Sequence, residues 1–152
     1  MQEYPHLYVA TAEGSVDGVI DTGSPGLESI AVMPPAEFDG PGDRWSPETM
    51  LVASVANCFI LTFRAVARAS HFEWDSLSCK VVGVLNRVER VTRFTEFQIA
   101  VTLRLPRGAD WHKAHRIAEK SESVCLVTNS LNGEKTLEIH LRLGLHTGLL
   151  CQ

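Results

Sequence analysis

Residues 46–68, SPETMLVASVANCFILTFRAVAR, constrain the fold more than any other stretch of the chain. Ser46 is a good helix N-cap, because its hydroxyl accepts a backbone N–H that the first turn leaves unpaired. Pro47 suits the first helical position, where its missing N–H costs nothing. Glu48 then stands at the positive end of the helix dipole. From Met50 to Phe63 the apolar residues leave no wide polar face, which predicts a helix buried on most sides. It is too short, and too interrupted by Ser54, Asn57, Thr62 and Arg64, to read as a membrane span. One thiol, Cys58, sits in its middle.

The rest of the chain supplies elements to cover such a helix. Residues 4–12, YPHLYVATA, read as a strand, followed by turn signals at Gly14 and Asp17-Gly18. Short strands around Val19–Asp21 and Leu27–Met33 complete an N-terminal meander, and the Pro- and Gly-rich residues 34–45 read as a loop. Leu77, Cys79, Val81, Gly83 and Leu85 alternate at period two. So do Phe97, Ile99, Val101, Leu103 and Leu105, and the two runs predict a long antiparallel hairpin. Asp110 caps a second helix, with Trp111, Ala114, Ile117, Ala118, Ser121 and Cys125 at helical spacing on its inner face. Asn129 to Gly133 is a turn, and Thr136 to Leu145 the last strand. The expected architecture is α+β: one domain over residues 1–152, an antiparallel sheet with a buried central helix and a second helix packed against it.

Bulk properties narrow the function. A length of 152 residues, 45% hydrophobic and 21% charged, is that of a globular domain with a real core. The net charge of −4, with no basic stripe, argues against nucleic acid. The N-terminal residues have neither a basic nor an apolar leader region, so the expected location is the cytoplasm. Cys58, Cys79, Cys125 and Cys151 form no CxxC pair and no close pairing with histidine, which argues against zinc. In a reducing compartment, cysteines that matter are catalytic or redox-active.

A buried cysteine is ordinarily inert. Cys79, on an inward strand face, fits that role, and Cys151 lies beside the chain end. Cys58 and Cys125 stand apart, each on a predicted helix among small or polar residues. Their surroundings carry a resemblance. Pro47-Glu48, Ala53 and Ala56-Asn57-Cys58-Phe59 are followed 67 positions later by Cys125 and then Thr128-Asn129-Ser130-Leu131. This pattern resembles the OsmC/Ohr family of osmotically inducible and organic-hydroperoxide-resistance proteins, over almost the whole chain.

The resemblance implies an intertwined homodimer and a thiol peroxidase that uses no metal and no bound cofactor. Cys58 would attack an organic hydroperoxide, and Cys125 would resolve the product as a disulfide. A dithiol, such as a dihydrolipoyl protein, would then reopen it. The family activates its attacking thiol with an arginine held by a glutamate. Glu48 matches the glutamate. The arginine does not match: Val16 occupies its place in the turn Gly14–Gly18, and Arg44 is the first arginine in the chain. Arg44, four residues before Glu48, is the candidate substitute; as a solvated loop charge instead, it would leave Cys58 without its activator.

Ten residues separate Glu48 from Cys58, about 15 Å along a straight helix. Either the helix breaks between them or a partner subunit supplies Glu48 and its arginine. Other candidates have ordinary readings. His112 and His115, at i and i+3, form a solvated face rather than a metal pair, and His140 points away from the core. Trp45, Phe59, Phe63 and Trp111 read as core rather than a cofactor box, with some of them candidates to line an apolar substrate pocket. The second functional reading keeps the fold but binds a small apolar ligand or a partner without turnover, and Val16 in the arginine position favours it.

Overall fold

The computed structural model describes residues 3–144, so Leu145, predicted to end the last strand, and Cys151 lie outside the described residues. The chain divides into two compact units, Met1–Leu51 and Val52–Gln152, and the division falls within the first turns of the central helix.

In the first unit, strands β1 (Thr11–Glu13), β2 (Ile20–Gly23) and β3 (Ile30–Val32) form the expected antiparallel meander. β1 and β3 are shorter than the sequence predicts, whereas β2 starts one residue later than expected and runs on to Gly23. Residues 4–10, expected to be strand, have no ladder partner among the described residues, and Pro5 lacks the N–H that pairing needs. The following loop folds through a single 3-10 turn at Ala36–Phe38. It closes where Gly40 donates its N–H to the Pro35 carbonyl at 3.0 Å. A Cβ at Gly40 would stand 1.7 Å from the Pro34 oxygen, so only glycine fits there. The loop then returns to β3, the Met33 N–H donating to the Trp45 carbonyl at 2.9 Å.

Helix α1 (Pro47–Ala69) begins as the sequence dictates, with a reciprocal cap. The Thr49 N–H donates to the Ser46 hydroxyl at 3.2 Å, and the Ser46 N–H donates to Thr49 Oγ1 at 2.9 Å. Threonine thus fills the place that glutamate or glutamine takes in a capping box. Ser46 is buried. Ser46→Ala is therefore expected to lower the unfolding free energy by about 1 kcal/mol, read as a lower urea midpoint at unchanged slope.

In the second unit, β4 (Ser76–Val88) and β5 (Val91–Leu105) form the predicted hairpin. Its two-residue turn, Glu89-Arg90, has positive φ at both positions, the twist that tight hairpins favour. Helices α2 (Trp111–Ser123) and α3 (Leu126–Asn129) follow, then β6 (Glu134–Leu143). The Asp110 side chain caps α2 by accepting from the Lys113 N–H at 2.9 Å. The sheet runs β4-β5-β6, and β6 pairs with β5 in parallel. The fold class is the expected α+β, but this sheet is mixed rather than wholly antiparallel. The reason is the helical crossover, which returns the chain in its original direction and so forces a parallel pairing.

The core of this unit forms where the inward faces meet. Phe97, Ile99, Val101, Leu103 and Leu105 of β5 are fully buried, as their alternation predicts. Ala114, Ile117, Ala118 and Ser121 of α2 join them. From α1 the buried residues are Val55, Phe59, Phe63 and Ala67, one i, i+4 stripe. That stripe is narrower than the apolar composition predicts: Ala56 and Ile60 are half-buried and Leu61 is 60% exposed. By length and mean hydropathy, 1.8 over its most apolar window, α1 does reach what a bilayer span requires. Its stripe is nevertheless a core stripe, with Phe63 edge-on to Trp74 at 5.2 Å. Trp45 and Trp111, expected in the core, are 50% and 44% exposed. Each sits just outside or at the first residue of a helix, where no inward face has begun.

Candidate active site: a hydrogen-bonded thiol pair

Cys58 lies near the middle of α1 and Cys125 is the N-cap residue of α3. The fold brings the two thiols into hydrogen-bonding contact, and neither is in a disulfide. Burial alone would raise the pKa of Cys58. It is outweighed by groups that donate to the sulfur: the Cys125 thiol, the Val127 N–H, the Thr62 hydroxyl at 3.8 Å and the Leu126 N–H. The net result holds Cys58 below the ordinary thiol range. Hydrogen bonds to a thiolate favour the charged form, and two of these come from backbone amides fixed by the start of α3.

Cys125 is shifted the opposite way. Burial raises its pKa, the Thr128 N–H works against that, and donation to Cys58 raises it further. It is fully buried, whereas Cys58 is half-buried. The pair is therefore polarised: Cys58 is the thiol that ionises more readily, and Cys125 holds its proton and shares it. A thiolate is the nucleophilic form of cysteine, so this arrangement can present one reactive sulfur with a second thiol held beside it.

Cys79, on the inward face of β4, is pushed up to about 11, first by burial and then by the charge of Cys125. At neutral pH it stays protonated. The sequence did not single out Thr62 or the amides of Leu126 and Val127. Thr62 was findable, because i+4 places it one turn from Cys58 on the same helix face. The amides were not, since they reach Cys58 only through tertiary packing.

Arg44 and Glu48 belong to the first unit. Arg44 is engaged by its neighbour Asp43: its guanidinium lies 3.7 Å from the Asp43 carboxylate and donates to the Asp43 carbonyl at 3.3 Å. A groove of about 390 Å³ opens around it between Gly42, Trp45 and Thr49. Glu48 Oε2 is buried and accepts no hydrogen bond. Among the described residues no ion pair joins Arg44 to Glu48. Val16 is fully exposed. His115 lies 3.5 Å from Glu119 and His140 lies 3.0 Å from Glu138. Among the described residues no three His, Cys, Asp or Glu side chains converge to hold a metal ion.

Residues 40–140 match the family described as OsmC-like protein. The chain is 30% identical over 132 residues to the uncharacterized protein YmaD of Bacillus subtilis, covering 84% of this chain and 86% of that one. Among solved structures, an OsmC-like protein of unknown function from Vibrio cholerae superposes with a TM-score of 0.82 at 15% identity. It covers 89% of this chain and 99% of its own. An organic hydroperoxide resistance protein OsmC from Legionella pneumophila superposes at 0.67 with 22% identity, covering 93% and 100%.

Proposed function

The chain belongs to the OsmC-like protein family, and from that premise and the polarised thiol pair we propose that it is a cysteine-based peroxidase acting on organic hydroperoxides. The observation that carries the reading is the hydrogen bond from the Cys125 thiol to a Cys58 sulfur of lowered pKa. Several structures of the same fold are named organic hydroperoxide resistance proteins, which supports the substrate class.

The chemistry follows from the two thiols. The Cys58 thiolate attacks one peroxide oxygen and the O–O bond breaks. The leaving alkoxide takes up a proton and departs as an alcohol, and Cys58 becomes a sulfenic acid. Cys125, already in contact, attacks that sulfur through its own. Hydroxide leaves, combines with the thiol proton as water, and a Cys58–Cys125 disulfide remains. An external dithiol restores both thiols by exchange. No step requires a metal or a bound cofactor.

Glu48 and an arginine complete the site in this reading. The buried, unpartnered Glu48 carboxylate oxygen supports a cationic partner for it. Helix α1 is unbroken, which favours supply of that pair by a partner subunit in a homodimer. Arg44 is the candidate cation, since it would stay charged beside a thiolate and could grip Glu48 with two parallel hydrogen bonds. Arg44→Ala is expected to raise the pKa of Cys58 and slow its reaction with peroxide, while Arg44→Lys keeps part of the rate. The check is the Cys58 alkylation rate against pH; an unchanged profile in Arg44→Ala would remove Arg44 from the site.

The tie of Arg44 to Asp43 favours a second reading, a member that binds a small apolar ligand or a partner without turnover. A steady-state assay with cumene hydroperoxide, hydrogen peroxide and a small dithiol separates the two. Turnover with preference for the organic peroxide is expected, and reaction of neither peroxide would leave only the binding role.

A further inference from the structure

Thr62 stands one turn along α1 from Cys58, and its hydroxyl lies 3.8 Å from the Cys58 sulfur. A serine or threonine hydroxyl on a helix ordinarily bonds back to a carbonyl of its own helix, three or four residues earlier. This chain does so repeatedly. Ser121 donates to the Ile117 carbonyl at 2.6 Å, and Ser123 to the Lys120 carbonyl at 2.8 Å. Thr128 donates to the Cys125 carbonyl at 3.1 Å, and Ser130 to the Leu126 carbonyl at 2.7 Å. Among the described residues the Thr62 hydroxyl makes no such bond, and its partner is the sulfur. The groups that hold Cys58 below the ordinary thiol range are, among the described residues, all neutral donors. Two are backbone amides, which cannot turn, and the Cys125 thiol is fully buried. Thr62 is half-buried, as Cys58 is, so its hydroxyl can rotate on the side from which a peroxide reaches the sulfur.

We propose that Thr62 is a catalytic residue of the peroxide reaction: its hydroxyl donates to the Cys58 thiolate at rest and to the departing peroxide oxygen as the O–O bond breaks. The inference rests on the peroxidase reading and adds to it the group that follows the charge. An attacking atom and the atom it attacks stand about 3–3.5 Å apart before reaction. A hydroxyl 3.8 Å from the same sulfur then has the peroxide within hydrogen-bonding reach, at about 2.7–3.0 Å. As the S–O bond forms, the O–O bond breaks. The sulfur is oxidised by two electrons, and the negative charge passes from it to the alkoxide. The Thr62 hydrogen bond passes with it. Thr62 keeps its own proton, and the alkoxide takes one from water and leaves as the alcohol. A donor aimed where charge develops lowers the barrier. A donor fixed on the sulfur alone favours the thiolate before attack, but makes it a weaker nucleophile.

The test compares two variants of the full chain with the wild type, all reduced before use. Thr62→Val keeps the β-branched shape without the hydroxyl, and Thr62→Ser keeps the hydroxyl. Alkylation of Cys58 by iodoacetamide against pH, read by mass spectrometry, needs no peroxide. Its midpoint is expected to rise in Thr62→Val and to stay near the wild-type value in Thr62→Ser. Single-turnover reactions are then run at a pH above every midpoint, where Cys58 is a thiolate in all three proteins. There Thr62→Val should alkylate at least as fast as the wild type, since a thiolate of higher pKa is the stronger nucleophile. With cumene hydroperoxide it should react about tenfold more slowly, the worth of one hydrogen bond in the transition state. Thr62→Ser should recover most of that rate. A placement role alone would move both reactions together. An unchanged midpoint or an unchanged peroxide rate in Thr62→Val would overturn the role of Thr62. So would equal slowing of alkylation and peroxide reaction, or a Thr62→Ser variant as slow as Thr62→Val. A wild type that alkylates at a lowered midpoint yet consumes no peroxide would overturn the peroxidase reading instead.

Discussion

Cys58→Ser should abolish peroxide consumption, and Cys125→Ser should reduce it to one equivalent per chain. The difference follows from the polarity of the pair. Cys58 is the thiol whose charged form the Cys125 thiol, the Val127 amide and Thr62 stabilise. A serine hydroxyl there remains protonated and cannot attack a peroxide oxygen. Without Cys125 the first attack still occurs, but the sulfenic acid has no second thiol beside it. Mass spectrometry of Cys125→Ser after one equivalent of cumene hydroperoxide should show an added oxygen on Cys58. The wild type should show a Cys58–Cys125 crosslink. A first-formed crosslink to Cys79 would reverse the assignment of the resolving thiol. That outcome is disfavoured because Cys79, pushed up to about 11, is almost wholly protonated at neutral pH. The same order should appear in alkylation: Cys58 labels first as pH rises, with its midpoint below that of an ordinary thiol, and Cys79 labels much later.

The second large effect concerns assembly. Wild-type protein should scatter light with twice the chain mass of 16.7 kDa, and Leu61→Asp should yield a monomer that no longer turns over peroxide. Leu61 is 60% exposed on α1, outside the buried stripe of Val55, Phe59, Phe63 and Ala67. Substituting it therefore spares the core of the unit while placing a charge on the apolar side that the stripe does not cover. In the first unit Tyr4, Leu7, Tyr8 and Leu27 are likewise exposed, and that much apolar surface is more than a lone chain ordinarily shows. Loss of activity should accompany dissociation, because Glu48 and its arginine come from the partner in the proposed site. A wild-type monomer with full activity, or an active Leu61→Asp monomer, would remove the partner from the mechanism.

Much of the fold was legible because it rests on short-range pattern. The alternation in β5, the cap of α2 and the antiparallel pairing of β4 with β5 follow from spacing alone and are found in place. Of the inner face expected for α2, Ala114, Ile117, Ala118 and Ser121 are buried, whereas Trp111 is partly exposed and Cys125 lies past the helix end as the N-cap of α3. Period two tells which face a residue occupies, but not the direction of the neighbouring strand, so the parallel pairing of β6 escaped the reading. Residues 4–10 alternate as a strand would, but a strand exists only where a partner edge offers hydrogen bonds. The apolar residues around α1 were read correctly as apolar, yet within one chain only a single stripe is covered. The site divides in the same way. Asp43 beside Arg44 is visible in the sequence as the immediate neighbour that engages it. The contact of Cys58 with Cys125 spans 67 positions; it came from a resemblance to known proteins and from no spacing rule.

The parallel return of β6 has a consequence for how the protein is made. Hairpin β4–β5 is closed by two residues, so its contacts are local and cost little loop entropy. Strand β6 must wait until the whole crossover, Pro106 to Gly133, has looped over the sheet, and closing that loop is the slow, entropically expensive step. Cys125 rides on this crossover. Until it docks, Cys58 has neither its proton-sharing thiol nor the two amides of α3, and a peroxide that oxidised it would meet no resolving sulfur. In the proposed reaction, redox competence would therefore be acquired only once the crossover has docked, so the thiol pair would report that this closure is complete.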